Sequence, residues 1–200
     1  MAGNRSPVRP VLEGLEARTL FAAGPAVVTA ELGGEAHPVL TVTGTRRGDD
    51  IAVVLVGDQL EVRSAGVAIN SFPFDDVLGI TILGSGGKDS VVVDAAVTKP
   101  VFMLGGNGKD VLVGGSGNDN LDGGNGKDMI SGGAGDDILI GGRGRDVLDG
   151  GDGADNLTGG SSKDSNTGGA GIDTFTGDTA TEILDKAADE AIVPLAPGVK

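Results

Sequence analysis

Apolar and polar residues alternate along this chain in two textures. Between residues 39 and 83, short β-branched runs (Val39–Thr43, Ile51–Val56, Leu60–Arg63, Val67–Asn70) are punctuated by Gly44, Gly57-Asp58 and Gly66. Runs of that length broken by turn residues predict strands, and Gly57-Asp58-Gln59 between two of them predicts a tight hairpin. From Gly79 the runs shorten to Ile80–Leu83, Val91–Val93 and Val101–Leu104, with small polar loops between them. At Gly105 a nine-residue pattern begins, Gly-Gly-x-Gly-x-Asp-x-apolar-x, and it keeps register to Thr176 through eight copies starting at Gly105, Gly114, Gly123, Gly132, Gly141, Gly150, Gly159 and Gly168. Beyond it, Ile183, Leu184, Ala187, Ala188, Ala191 and Ile192 recur at helical spacing, Thr179 and Glu182 offer a capping box, and Pro194 ends the run. A helix there would lid the last rung, which a solenoid requires.

The repeat dictates its own geometry. Glycines turn the backbone through regions closed to other residues. The x-apolar-x that follows makes one short strand, with its middle side chain inward and its neighbours outward. One unit is half a coil, so two units make an 18-residue turn, and stacked turns build two parallel sheets. The inward positions are Leu112, Leu121, Ile130, Leu139, Leu148, Leu157 and Phe175, with Asn166 in the seventh copy. Odd-numbered loops stack along one edge and even-numbered loops along the other.

An aspartate closes every loop: Asp110, Asp119, Asp128, Asp137, Asp146, Asp155, Asp164 and Asp173. Strand spacing places stacked loops about 4.7–4.9 Å apart, and calcium–oxygen distances are about 2.3–2.6 Å. A calcium ion therefore fits between stacked loops, bracketed by carboxylates and glycine carbonyls. Without it, two carboxylates some 5 Å apart repel by roughly 3 kcal/mol at an effective dielectric of 20. With one small apolar residue per unit as core, folding is expected to be coupled to calcium binding. The pairs are Asp110 with Asp128, Asp119 with Asp137, Asp128 with Asp146, and Asp137 with Asp155, followed by the weaker Asp146 with Asp164 and Asp155 with Asp173. Upstream, Gly84–Asp89 is a broken copy lying one turn plus three residues from Asp110, so Asp89 is a candidate for the top of the odd edge. Gly44–Asp49 is a fainter echo and reads as a plain turn.

Composition supports this picture. The net charge is −14, Phe is the only aromatic type with 5 copies, and there is no cysteine. A large aromatic core, a disulfide and a thiolate metal site are excluded. Nucleic acid is an unexpected partner, since it needs a basic patch. No apolar run reaches the roughly 18 residues of a membrane helix, and Leu20–Ala23 is too short for the core of a standard cleaved signal peptide.

The nonapeptides of residues 105–176 resemble the RTX, or hemolysin-type, calcium-binding repeat, and residues 84–104 continue the likeness loosely. Copy seven departs from the pattern, with Ser162 at the third glycine and Asn166 inside. The resemblance implies a parallel β-roll, calcium held in the loops and export to a calcium-rich medium. Separately, Leu12–Ala22 (Leu-Glu-Gly-Leu-Glu-Ala-Arg-Thr-Leu-Phe-Ala) resembles a Leu-Glu-x-Leu-Glu-x-Arg-x-Leu-Phe motif found near the N-termini of large exported proteins of planctomycete bacteria.

Rival chemistries fail on particular residues. Gly106-Asn107-Gly108-Lys109 is followed by Asp where a phosphate loop needs Ser or Thr. Collagen needs glycine at every third position, and no twelve-residue loop has EF-hand form. His37 is the only histidine and no cysteine nucleophile exists, so catalysis is not expected. Outward Val111, Val113, Ile138, Ile140 and Val147 offer a patch for a surface partner or for self-association.

The expected protein is all-β: a leader at 1–30, a stranded N-terminal cap region at 31–83, a calcium-binding parallel β-roll solenoid at 84–176, and a C-terminal capping helix and tail at 177–200. Its expected role is that of a secreted or cell-surface calcium-binding roll with structural or adhesive purpose. The alternative is a non-catalytic export or stabilising module of a longer secreted protein or enzyme, and a third reading is an enzyme with a site in residues 39–83.

Overall fold

The computed structural model describes residues 28–33, 38–176 and 191–193. Every described strand belongs to one of two sheets, of ten and eight strands. The first carries Val39–Thr43, Gly79–Leu83, Val101–Gly108, Asn120–Gly126, Ile138–Gly144, Asn156–Ser161 and Thr174–Thr176 in that order, all parallel. The second stacks Asp50–Val56, Ser90–Val93, Val111–Val113, Met129–Ala134, Val147–Asp152 and Ser165–Ala170, again in parallel. The chain alternates between the sheets, so each pair of units completes one turn of a parallel β-solenoid.

Register follows the eighteen-residue rule. Met103, Leu121, Leu139, Leu157 and Phe175 are successive partners in one sheet. Val91, Leu112, Ile130, Leu148 and Asn166 are successive partners in the other. The apolar members are all buried and form one core between the sheets. Each such aliphatic contributes about 1.5–3 kcal/mol by leaving water. Asn166 occupies the same buried column, so copy seven keeps the path of the chain while giving up the apolar contribution. Of the outward apolar positions, Ile138 and Val147 are exposed and Val111, Val113 and Ile140 are half-buried.

The sheets run unbroken through the change of texture near residue 84. Val39–Thr43 and Asp50–Val56 are rungs of the same solenoid. The second sheet is then extended by two antiparallel strands, Gln59–Ser64 and Val67–Pro73. The expected hairpin is present: Val56 pairs with Gln59 across the two-residue turn Gly57-Asp58. Thr29–Gly33 closes the first sheet antiparallel to Val39–Thr43.

Among the described residues the one helical piece is the short 3-10 turn Phe74–Asp76. The expected C-terminal helix is not supported. Residues 177–190 lie outside the described residues. Ala191–Val193, its last positions, form a strand parallel to Thr174–Thr176. At Ala191–Val193 the helical spacing gives way to the open edge of Thr174–Thr176, which offers a row of unpaired backbone groups. The leader, with the Leu12–Ala22 motif, and His37 also lie outside the described residues.

Close stacking explains the third glycine of the repeat. A Cβ built on Gly126 would fall on the carbonyl oxygen of Gly108 one turn above. Copy seven carries Ser162 at this position, and it is held at φ 104, where side chains are disfavoured. Ser162→Gly is expected to raise the stability of the folded roll by about 1 kcal/mol, read as a higher midpoint in calcium-loaded denaturant melts. Gly126→Ala is expected to lower it sharply.

Candidate metal centre

The aspartate that ends each loop begins the next strand, and its side chain folds back into the loop rather than out to water. Asp89, Asp110, Asp119, Asp128, Asp137, Asp146, Asp155, Asp164 and Asp173 are all buried. The stacking that aligns the strands aligns these carboxylates in two rows.

One oxygen of each carboxylate is committed to the turn before. On the odd edge, Asp49 N–H donates to Asp89 Oδ1 at 2.8 Å, Asp89 to Asp110 at 2.8 Å and Asp110 to Asp128 at 2.8 Å. Asp128 then donates to Asp146 and Asp146 to Asp164, both at 2.9 Å. On the even edge, Val101 N–H donates to Asp119 Oδ1 at 2.8 Å, Asp119 to Asp137 at 2.7 Å, Asp137 to Asp155 at 2.8 Å and Asp155 to Asp173 at 2.9 Å. All six pairs expected from the sequence are thereby brought together, each across 18 residues. The 21-residue step from Asp89 to Asp110 is also bridged, because the three extra residues are taken up in the 94–100 connection on the opposite edge.

The other oxygen faces the first glycine of its own loop. A Cβ on Gly105 would lie 2.9 Å from Asp110 Oδ2 and 2.8 Å from the Gly123 carbonyl oxygen of the next turn. On Gly123 it would lie 2.8 Å from Asp128 Oδ2 and 2.9 Å from the Gly141 carbonyl oxygen. On Gly141 the distances are 2.8 Å to Asp146 Oδ2 and 2.6 Å to the Gly159 carbonyl oxygen. Glycine thus keeps open a small space into which a carboxylate oxygen and a carbonyl oxygen both point. Oδ2 of Asp89, Asp110, Asp128, Asp137, Asp146, Asp155 and Asp173 is buried there with no hydrogen-bond donor. A buried, unsatisfied acceptor costs about 1–3 kcal/mol, and more when charged. Native chains do not repeat that defect rung after rung unless a ligand answers it.

The donor set identifies the ligand. Hard carboxylate and carbonyl oxygens suit calcium, which takes six to eight of them. Among the described residues no three acidic, histidine or cysteine side chains converge, so main-chain carbonyls must complete any coordination shell. A tetrahedral nitrogen or sulfur site is not supplied.

Two loops differ. Asp119 Oδ2 accepts the N–H of Gly115 at 2.9 Å, so both its oxygens are satisfied within the protein. Asp49 accepts the N–H of Thr45 at 2.6 Å and its hydroxyl at 3.2 Å. These are the first loops on the even and odd edges. Neither stacks beneath a nonapeptide loop: the 114–119 loop packs under the 94–100 connection, with Ser116 N–H on the Val97 carbonyl at 2.8 Å. Freed from the stacking geometry, the second residue of the loop turns its N–H onto its own aspartate. Asp49 reads in the sequence as part of a plain turn. The signal that marks it as a rung is glycine five positions before an aspartate, shared with Gly84/Asp89 and Gly105/Asp110.

Burial disfavours the charged form of these groups. Desolvation pushes Asp89, Asp119, Asp128 and Asp155 up to about 6 and Asp137 to about 7, against an ordinary 3.8, and raises Asp110 and Asp146 as well. Neighbouring aspartates of the same row add repulsion at Asp89, Asp128, Asp137, Asp146 and Asp155.

Residues 104–139 and 131–165 match the family model described as the RTX calcium-binding nonapeptide repeat, four copies. No curated protein matches the chain. Residues 104–165 are thus similar to RTX repeats, a similarity that supports calcium as their ligand.

Two outcomes are expected. A carboxyl group whose folded pKa is raised stabilises the fold below its unfolded value and loses that contribution as pH rises through the folded value. The calcium-free chain should therefore gain β-structure on acidification towards about pH 4 and lose it between about pH 6 and 7, followed by far-ultraviolet circular dichroism. Calcium affinity should rise over the same interval, because calcium must displace protons. In calorimetric calcium titrations, Asp137→Asn should weaken binding about tenfold or more, and the self-satisfied Asp119 should cost less on the same change. Equal losses would contradict the distinction between the two loops.

Proposed function

We propose, from the premise that residues 104–165 are RTX calcium-binding nonapeptide repeats, that this chain is an extracellular or cell-surface calcium-binding β-roll with a structural or adhesive role. The observation that carries the reading is the row of buried Oδ2 atoms left without donors. Asp89, Asp110, Asp128, Asp146 and Asp164 would hold calcium along the odd edge. Asp137, Asp155 and Asp173 would do so along the even edge, with Asp119 as its self-satisfied first member. Calcium supplies positive charge where the fold has gathered carboxylates away from water. The protein's part is to fix two oxygens per loop at one-rung spacing and to exclude water from them.

Coupling of folding to calcium makes the medium the switch. Extracellular calcium modules commonly bind at about 10⁻⁴–10⁻³ M, so such a roll orders outside the cell. Among the described residues no helix is long and apolar enough to cross a membrane. The alternative, a non-catalytic export or stabilising module beside another domain, uses the same chemistry and differs only in what else the protein carries. We read the chain as non-catalytic, since it has no cysteine and a single histidine to serve a nucleophile or base.

The test is circular dichroism of the whole chain with and without chelator, alongside calcium calorimetry. Chelation is expected to abolish most of the β-sheet signal, and readdition of calcium to restore it. A β-rich spectrum indifferent to chelator would sink the reading. Asp128→Ala should lose more bound calcium than Asp164→Ala, because Asp128 lies between two complete loops and Asp164 belongs to the copy carrying Ser162 and Asn166.

A further inference from the structure

The two edges of the solenoid carry opposite surface chemistry. In every odd loop the residue just before the buried aspartate is basic: Lys109, Lys127, Arg145 and Lys163, continued upward by Lys88. All five are exposed. The corresponding even positions are Asn118, Asp136, Ala154 and Ile172. The glycines preceding Lys88, Lys109, Lys127 and Arg145 are register partners of one another, so these cations stand one rung apart, about 4.7–4.9 Å, in a straight line. None of them forms an ion pair; among the described residues the single ion pair is Arg63 with Glu61. In a protein of net charge −14, an unpaired row of like charges along one edge opposes both self-repulsion and the average.

We propose that this odd edge is a binding site for a linear acidic polysaccharide, one whose carboxylates or sulfates recur at intervals comparable to a rung. The row is narrow, one cation per rung except where Arg143 stands beside Arg145, which suits a thread. Asp122, near enough to Asp128 to raise its pKa, adds a negative charge beside the row, which a flat anionic membrane would meet and an extended chain lying along the edge would not. Beside the cations run Asn107, Asn125, Arg143 and Ser161, successive partners in the stack, with Asn125 donating to Asn107 at 3.0 Å. Two amides and a hydroxyl of the kind that meet sugar hydroxyls, and one further cation, thus flank the row. A shallow depression of about 390 Å³ opens on the row, lined by Lys127, Arg145, Val147, Lys163 and Ser165 and by the aspartates Asp146 and Asp164, with room for a ring whose apolar face can rest on Val147. The odd loops contain no aromatic side chain on which a nucleobase could stack.

The site rests on the calcium-binding reading in one respect. Each basic residue is followed directly by a buried aspartate. Where those aspartates are ionised and without calcium they offset the field of the row; with calcium they do not, and the edge becomes positive. Binding should therefore require calcium although the ligand is an anion and so is the protein.

The test uses the whole chain with polygalacturonate oligosaccharides in calcium-containing buffer at about 0.15 M salt, measured by calorimetry. Neutral dextran, double-stranded DNA and phosphatidylserine vesicles form the comparison arms. The triple variant Lys109→Gln, Lys127→Gln, Arg145→Gln is expected to bind about tenfold more weakly or worse, while its β-sheet spectrum matches that of the parent chain and its calcium binding is no weaker. That control separates loss of the edge from loss of the roll, and from mere bridging of two anions by calcium, which the triple variant would retain. Undiminished polysaccharide binding by the triple variant overturns the proposal, as does DNA or vesicle binding equal to or tighter than polygalacturonate. If chelator leaves the β-sheet spectrum unchanged while the variant still loses the polysaccharide, the calcium reading fails and the edge survives.

Discussion

The structure depends on a carboxylate with two different obligations. Oδ1 of every repeat aspartate but Asp119 accepts the backbone N–H of the aspartate one turn earlier, at 2.7–2.9 Å along both edges, and Asp119 accepts that of Val101. That bond ties turn to turn at the corners, where the sheet ladders are weakest, and it requires the side chain to be buried. Burial then obliges the second oxygen to find a partner. In most loops the protein has none to give, because the N–H groups nearby are turned towards the stack and glycine has cleared the space. Structural service by one oxygen creates the demand for a cation at the other.

The two exceptions make the logic visible. Asp119 does the same work with Oδ1, on Val101, while Asp49 turns both oxygens to Thr45, and both satisfy Oδ2 from their own loops. They differ from the rest in what lies above them. A loop pressed under another nonapeptide loop has its second residue held at φ near 100, as at Gly106, Gly124 and Gly142. Gly115 and Thr45, without that neighbour, are free of it and point their N–H groups inward. Whether an aspartate is left open to a metal is thus decided by the loop one turn earlier and not by its own nonapeptide, which is why Asp119 and Asp137 look alike in sequence.

That contrast also marks how far the sequence could be read. The period fixed the pairing: eighteen residues per turn follows from two nine-residue units, and with it the inward column Leu112, Ile130, Leu148 and the carboxylate rows. The twenty-one-residue step to Asp89 was legible for the same reason, since a bulge on one edge leaves the other edge in register. The orientation of a single peptide group at Gly115 was not, because it depends on packing against residues 94–100, which belong to no repeat. Nor was the fate of Ala191–Val193. Spacing of apolar residues records an isolated helix preference, while the open edge of Thr174–Thr176 offers backbone partners that spacing cannot record. Gly44–Asp49 failed to stand out because only the glycine and the aspartate of the pattern survive there, on a rung otherwise built from ordinary strands.

The need for metal is graded along the chain, and the grading follows from the cores. At the N-terminal end Leu40, Val42, Ile51, Val53, Leu60, Val62, Ile80 and Ile82 are all buried, two apolar residues from each strand. Those rungs also gain antiparallel strands at 59–64 and 67–73. Their edge loop, at Asp49, is closed by its own N–H. From Gly105 onward each strand buries one apolar side chain, and copy seven buries Asn166 in its place. A rung that gains about 1.5–3 kcal/mol from one aliphatic while ordering nine residues, at about 1–2 kcal/mol of backbone entropy each, is carried little by hydrophobic burial and leaves the larger share to its hydrogen bonds and to any cation that answers its carboxylates. Asp49, in the apolar head, is satisfied by its own loop and most carboxylates of the stack are not, but Asp89 and Asp119 cross that line, each following the loop above it rather than its core. The solenoid joins a head rich in apolar burial to a polar stack whose buried carboxylates call for a cation.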